Sequence, residues 1–182
     1  MRKILTLIAV TGLLAVLTTA CWVNSGGVED EYKDWREKNL EWFNSEALRN
    51  DLYKLVIPSW DPNARVLIHW YNDTTLTRDN LKPLYTSTVD VIYRGALYDG
   101  TPFDSSYLVT SPADSIYRTA LNGNIIEGWA VGITQMHVGD SCRIIIPYTL
   151  GYGSSSMGSV IKPYSTLVFD IKLADIYAYE TN

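Results

Sequence analysis

The segment Thr166 to Ile176 constrains the fold more than any other. Leu167, Phe169, Ile171 and Leu173 occupy one parity, while Asp170 and Lys172 occupy the other. Successive side chains of a strand point to opposite faces, so this is a strand with one face turned to a core. Thr88 to Leu97 repeats the pattern, with Val89, Val91, Tyr93 and Leu97 set against Thr88, Asp90, Ile92 and Arg94. Asp99-Gly100 then supplies a turn signal. Ser141 to Pro147 reads as a third clear strand. Leu52 to Ile57, Arg65 to Tyr71 and Ile116 to Leu121 are weaker, separated by the Pro58–Pro62 turn and ended by Asn122-Gly123. Only Ile125 to about Ile133 looks helical between them, and Gly128 and Gly132 keep that helix short. The pattern predicts an α+β domain over residues 51–182, a mostly antiparallel β-sheet around one short α-helix.

The start of the chain has a different character. Arg2 and Lys3 precede an apolar run from Ile4 to Leu17, and Thr18-Thr19-Ala20 supplies small residues before Cys21. The run is too short and wrongly flanked for a membrane span, so residues 1–20 are expected to be a signal peptide. A cysteine at that position resembles a bacterial lipoprotein cleavage site, although Thr18 stands where leucine is usual. The expectation is lipidation of Cys21, residues 21–27 as anchor and flexible spacer, and attachment to the bacterial cell envelope; an ordinary signal peptide is the alternative. The first 20 residues hold two basic and no acidic side chains, which leaves 13 basic against 20 acidic and a net charge of −7. That balance argues against nucleic acid as a partner. Cys142 is then the one remaining thiol, expected to be buried and inert.

Residues 28–50 read as an N-terminal helical extension. Tyr32, Trp35, Trp42, Phe43 and Ala47 fall on one face, and Glu29/Lys33 and Asp34/Lys38 are acid-before-base pairs four apart. Packing on the chain's own domain is the preferred reading of the stripe; dimerisation through this helix is the other.

The chemistry-bearing residues are notable for what they exclude. His69 and His137 lie far apart and near no cysteine pair, so no metal site is expected. There is no Gly-x-Ser-x-Gly elbow, no dinucleotide fingerprint and no phosphate-binding Gly-Lys-Ser/Thr. No cofactor is implied. What remains is Ile125, Ile126 and Trp129 at the start of a short helix, with Tyr152 on the loop Gly151-Tyr152-Gly153. These residues can build an apolar hollow with a hydroxyl at its rim. Such a site works by holding and drying a substrate.

Four blocks together resemble the FKBP-type peptidyl-prolyl isomerases. They are Val89-x-Val91-x-Tyr93-x-Gly95-x-Leu97-x-Asp99-Gly100-x-x-Phe103-Asp104-Ser105; Ile125-Ile126-x-Gly128-Trp129 with Gln135-Met136-x-x-Gly139; Pro147-x-x-x-Gly151-Tyr152-Gly153; and Ile161-x-Pro163-x-Ser165-Thr166-Leu167-x-Phe169-Asp170. The resemblance spans residues 85 to 177 well and 52 to 84 loosely. It implies a twisted sheet wrapped around the short helix and a proline-binding pocket. Trp129 would be the floor, Tyr93, Phe103 and Phe169 the walls, and Ile125, Ile126 and Ile161 the sides. Tyr152 and the Ile126 N–H would donate to substrate carbonyls, and Asp104 would be the acid beside the reacting bond. Asp104, Tyr152 and Tyr93 are thus the implied catalytic residues. The implied partners are proline-containing polypeptides, exported proteins among them, and macrolides like FK506 and rapamycin.

The chain departs from the family pattern in places. Lys162 stands where proline is frequent. The aromatic residue usual in the strand before the helix is missing or shifted, with Ile116, Tyr117 and Thr119 as candidates. The arginine that commonly pairs with the aspartate is absent, and Arg118 is the candidate to replace it. Residues 59–84 look longer than the family's connection. These departures leave a weakly active or inactive peptide-binding chaperone as the alternative function, and a structural partner in an outer-membrane assembly as a third reading.

Overall fold

A computed structural model describes residues 31–109 and 115–178. The signal segment, Cys21, the spacer and residues 28–30 of the expected helix lie outside the described residues. The elements in chain order are α1 (Lys33–Ala47), β1 (Lys54–Val56), β2 (Val66–Trp70), β3 (Thr88–Leu97), β4 (Pro102–Ser105), α2 (Ser106–Val109), β5 (Tyr117–Ala120), α3 (Glu127–Ile133), β6 (Ser141–Ile146), a 3-10 turn (Tyr148–Leu150) and β7 (Leu167–Ala178). The seven strands form one sheet in the order β1-β2-β6-β7-β3-β4, with β5 beside the first half of β3. All the pairings are antiparallel. The expected α+β architecture is present, and every strand read from the sequence exists, β3 with the same ends and the others with shorter or shifted ones. The sequence reading missed β4 and the single turn α2. The Asp99-Gly100 hairpin that leads into β4 is closed by Leu97 N–H to Thr101 O and by Gly100 N–H to Leu97 O, each 2.9 Å.

Burial explains where alternation holds and where it fails. Val89, Val91, Tyr93, Phe169, Ile171 and Leu173 face one core, together with Val66, Ile68, Ile144, Ile146 and the α3 side chains. On the opposite face, Leu67, Ile145 and Val168 lie side by side across β2, β6 and β7. That row is covered by Phe43 of α1, with Tyr53 beside it and Trp42 packed against the same cluster. The unbroken Ile144-Ile145-Ile146 run is thus a strand buried on both faces. Beyond the shelter of α1 the same outer face turns polar. His69, Arg143, Asp170 and Arg94 follow one another across four strands, and Arg143 grips Asp170 in a bidentate pair at 2.8 and 3.0 Å.

α1 therefore packs on its own domain, and its aromatic stripe is used within the chain. Trp35 and Trp42 flank Tyr98, with ring centroids 5.4 and 5.9 Å away. Packing within the chain is the preferred reading of the stripe, and the contacts to Tyr98 cover part of the face on which the alternative, dimerisation, would have rested. The glycines of α3, a helix of only seven residues, also have a packing role. A methyl group at Gly128 would overlap Ile146, and one at Gly132 would overlap Ile144. Spaced four apart, they lie on one side of the helix and let it settle onto β6. Cys142 is fully buried, with its sulfur 3.6 Å from that of Met136, and burial pushes the thiol far up from its ordinary pKa. It is buried, as expected.

Candidate active site

The cavity forms where β3, β4, β5 and β7 curl past the start of α3. It encloses about 490 Å³ and is lined by Tyr93, Phe103, Asp104, Tyr117, Asn124, Ile125, Ile126, Glu127, Trp129, Gly151, Tyr152, Met157 and Phe169. Alternation in β3 and β7 turns Tyr93 and Phe169 inward. A shift of register between Gly95 and Ala96 lets β4 bring Phe103 and Asp104 alongside. Gly95 is the hinge of this arrangement: a Cβ there would stand 2.7 Å from Phe103 and 2.8 Å from Phe169. Only a bare backbone lets those two rings meet over it.

The rings interlock edge to face, the arrangement that the quadrupole of an aromatic ring favours. Trp129 sits 4.8 Å from Tyr93 and 5.2 Å from Phe169, and Phe103 is 5.4 Å from Phe169. Tyr93, Trp129 and Phe169 are nearly sealed from water, at 5, 5 and 4% exposure. Phe103, Ile125, Ile126 and Tyr152 are half-buried, as expected of side chains shared between a core and a cavity wall. α3 begins only at Glu127. Ile125 and Ile126 precede it, contrary to the sequence reading, with Ile126 the extended residue before the first turn.

The polar side chains on the lining are Tyr93, Asp104, Tyr117, Asn124, Glu127 and Tyr152. The Tyr93 hydroxyl donates to Asp104 Oδ2 at 2.7 Å, and the Ser105 N–H donates to Oδ1 at 2.8 Å. Asp104 thus has a tyrosine where an arginine was sought. Arg118 does not replace that arginine: its guanidinium grips Asp90 through two 2.7 Å bonds and lies over the Tyr177 ring. Burial pushes the Tyr93 phenol well up, and the Asp104 carboxylate pushes it further. Burial, then the charge of Asp104, also raises Tyr152. Both phenols therefore stay protonated and able to donate. Among the described residues lining the cavity, Asp104 and Glu127 are acidic and none is lysine or arginine. Among the described residues, no group of three or more His, Cys, Asp or Glu is placed to hold a metal ion.

The structure brings together eight of the nine pocket residues read from the sequence. Ile161 is the exception: it is buried in the core behind the cavity, and Met157, bridged to it through the backbone, takes the place on the lining. Tyr117 was one of three candidates for the aromatic of the preceding strand. Its pairing opposite Val91 turns it toward the cavity, 5.6 Å from Tyr93 and 6.3 Å from Trp129. The alternation of β5 was the signal for it, but four residues are too few to fix parity. Met157 sits in a polar loop with no periodicity and could not have been found.

This architecture matches proteins of known structure. FkpA from Escherichia coli superposes with a TM-score of 0.65 at 28% identity, over 82% of this chain and 62% of that one. A peptidyl-prolyl cis-trans isomerase from Pseudomonas syringae superposes equally well at 23% identity, which speaks for the fold alone. By sequence, the chain is 43% identical over 94 residues to the FKBP-type 22 kDa peptidyl-prolyl cis-trans isomerase of Escherichia coli, covering 52% of this chain and 43% of that protein. It is 38% identical over 89 residues to the FK506-binding protein of Neisseria meningitidis serogroup C, covering 49% of this chain and 79% of that protein. The chain thus spans less than half the length of the Escherichia coli relative. The family model described as FKBP-type peptidyl-prolyl cis-trans isomerase matches residues 80–174, which include every residue of the cavity. With its sheet, its short helix and more than half its length accounted for in this way, the chain belongs to the FKBP-type peptidyl-prolyl cis-trans isomerase family.

Proposed function

We propose that this protein catalyses cis–trans rotation of X–Pro bonds in polypeptides. The observation that carries the reading is the convergence of Tyr93, Phe103, Trp129 and Phe169 into one open, ring-lined cavity. A peptide bond resists rotation by roughly 18–20 kcal/mol because resonance gives its C–N bond double-bond character. Twisting it removes that resonance and with it much of the charge separation that water solvates. A dry ring-lined site therefore lowers the free energy of the twisted amide relative to the planar one. Trp129 would carry the proline ring. Tyr152 and the Ile126 N–H would donate to the flanking carbonyls, and Asp104, held by Tyr93, would lie beside the rotating bond. No covalent intermediate is needed.

The same cavity would take macrolides like FK506 and rapamycin. If Cys21 is acylated, the clients are exported proteins met at the cell envelope; that part of the proposal rests on residues 1–21 alone. A protease-coupled assay on an X–Pro peptide tests the activity. Tyr152→Phe removes one hydrogen bond, normally about 0.5–1.5 kcal/mol, so kcat/KM should fall about 2- to 12-fold. Acceleration that ignores both Tyr152→Phe and Asp104→Asn would retire the proposed site. Peptide affinity without acceleration would instead establish the chaperone reading, which the engagement of Arg118 with Asp90 favours.

A further inference from the structure

The cavity rim depends on a long connection, residues 151–166, that runs from the Tyr152 turn to the start of β7. α1 is fastened to the far end of that connection. The residues of α1 lie outside the segment that matches the family, 80–174. Asn39 is fully buried. Its Nδ2 donates to Trp35 O at 2.8 Å, which turns its Oδ1 outward to accept the Thr166 N–H at 2.7 Å. Thr166 Oγ1 donates back to Asn39 O at 3.3 Å. One turn earlier, Trp35 Nε1 donates to Ser165 Oγ at 3.1 Å, and Ser165 Oγ donates to Lys162 O at 2.7 Å. The Lys162 ammonium lies 4.8 Å from the Trp35 ring, and the Arg36 guanidinium 5.4 Å from the Tyr164 ring.

These fastenings reach the cavity in two steps. Tyr164 has φ = 64°, a left-handed conformation unfavourable for a residue with a Cβ, so it persists only where its surroundings hold it. Its N–H donates to Gly153 O at 2.8 Å, and its ring packs 5.3 Å from that of Tyr148. Tyr148 O in turn accepts the Gly151 and Gly153 N–H groups, so Tyr152 is clamped from both sides. The second branch runs through Ile161, whose N–H and C=O exchange hydrogen bonds with Met157 on the lining. A connection of this length has many accessible conformations, and a rim residue displaced by an ångström weakens its hold on substrate.

We propose that α1 is a positioning element of the proline-binding cavity, with Trp35 and Asn39 holding residues 161–166 so that Tyr152 and Met157 keep their places at its rim. The inference rests on the prolyl-isomerase reading for its functional consequence. Trp35→Phe removes the indole donor and leaves a smaller ring, Ser165→Ala removes its acceptor together with the Ser165 Oγ–Lys162 O bond, and Asn39→Ala removes the bonds to Thr166 N–H and to Trp35 O. In the full chain, each should speed amide hydrogen exchange over residues 153–165 and leave β3 and β6 unchanged. Each should also raise KM for a prolyl peptide by about 3- to 10-fold, the scale of one hydrogen bond, with a smaller change in kcat. The double variant Trp35→Phe/Ser165→Ala should fall short of the sum of the two single effects, because both remove the same Trp35–Ser165 bond. Unchanged exchange in the loop, or faster exchange everywhere alike, would overturn the proposal, as would additive effects in the double variant. Exchange needs no turnover. A wild type that accelerates nothing therefore sinks the proposed activity, while the brace is still decided by the exchange experiment.

Discussion

Tyr93 carries two duties that its place in β3 makes compatible. Its ring packs against Trp129 in the cavity wall, and its hydroxyl holds Asp104, a carboxylate on the lining. Tyr152 supplies the second phenol. Because burial, reinforced by Asp104, raises both phenols above their ordinary value, neither ionises in the range where a free tyrosine begins to. A raised pKa keeps the proton on at higher pH, so the hydrogen bonds they donate persist. The isomerisation rate should therefore stay flat from neutrality to about pH 10, the ordinary value for tyrosine. A pH–rate profile falling with a midpoint at or below that value would show that one phenol is not shielded as described.

At the scale of elements, α3 rests directly on β6. Gly128 and Gly132 lie directly over Ile146 and Ile144, with no room for a methyl group at either. Helix propensity alone favours Gly128→Ala by about 1 kcal/mol. Overpacking a filled core costs about 1–3 kcal/mol, so packing wins and the net effect is destabilising. A urea midpoint higher than wild type would show that α3 is free to lift away. On the proposed function the variant should also weaken peptide binding, because Trp129 follows Gly128 directly and lines the cavity.

Across the whole molecule, the long connection between β2 and β3 is pinned by one buried carboxylate. Asp140 is fully buried; Oδ1 accepts from Asn72 Nδ2 at 3.0 Å and from Thr77 Oγ1, and Oδ2 accepts the His137 N–H at 2.7 Å. The His137 ring stands 3.6 Å away. Burial alone would raise its pKa, but these donors outweigh it and hold the carboxyl below the usual range. A carboxyl depressed by folding contributes stability in full above its unfolded pKa near 4, and loses it as pH falls through the lower folded value. Asp140→Asn should therefore cost about 1–3 kcal/mol at pH 7, since charge-assisted bonds are lost. The gap to wild type should narrow between pH 4 and pH 2, as read from urea midpoints. A gap that stays constant across that range would remove Asp140 from the account.

The strands were legible because a half-buried strand must alternate, and β3 and β7 are long enough for the period to show. The residues by themselves pointed only to Ile125, Ile126, Trp129 and Tyr152 in the pocket; eight of the nine pocket residues were legible through the family resemblance, whose motifs carry them. Ile161 and Met157 were not, because a loop without periodicity leaves side-chain direction to its tertiary bonds. Nor was the role of α1. Its aromatic stripe announced a buried face, but whether that face met the domain or a second chain depended on Leu67, Ile145 and Val168 aligning across three strands. The partner of Asp104 lay equally out of reach: Arg118 and Tyr93 are both near it in sequence, and only strand register sends one to Asp90 and the other to Asp104. Local pattern decides which residues are apolar and how they repeat. Which polar group meets which is decided by register and packing between segments far apart in the chain.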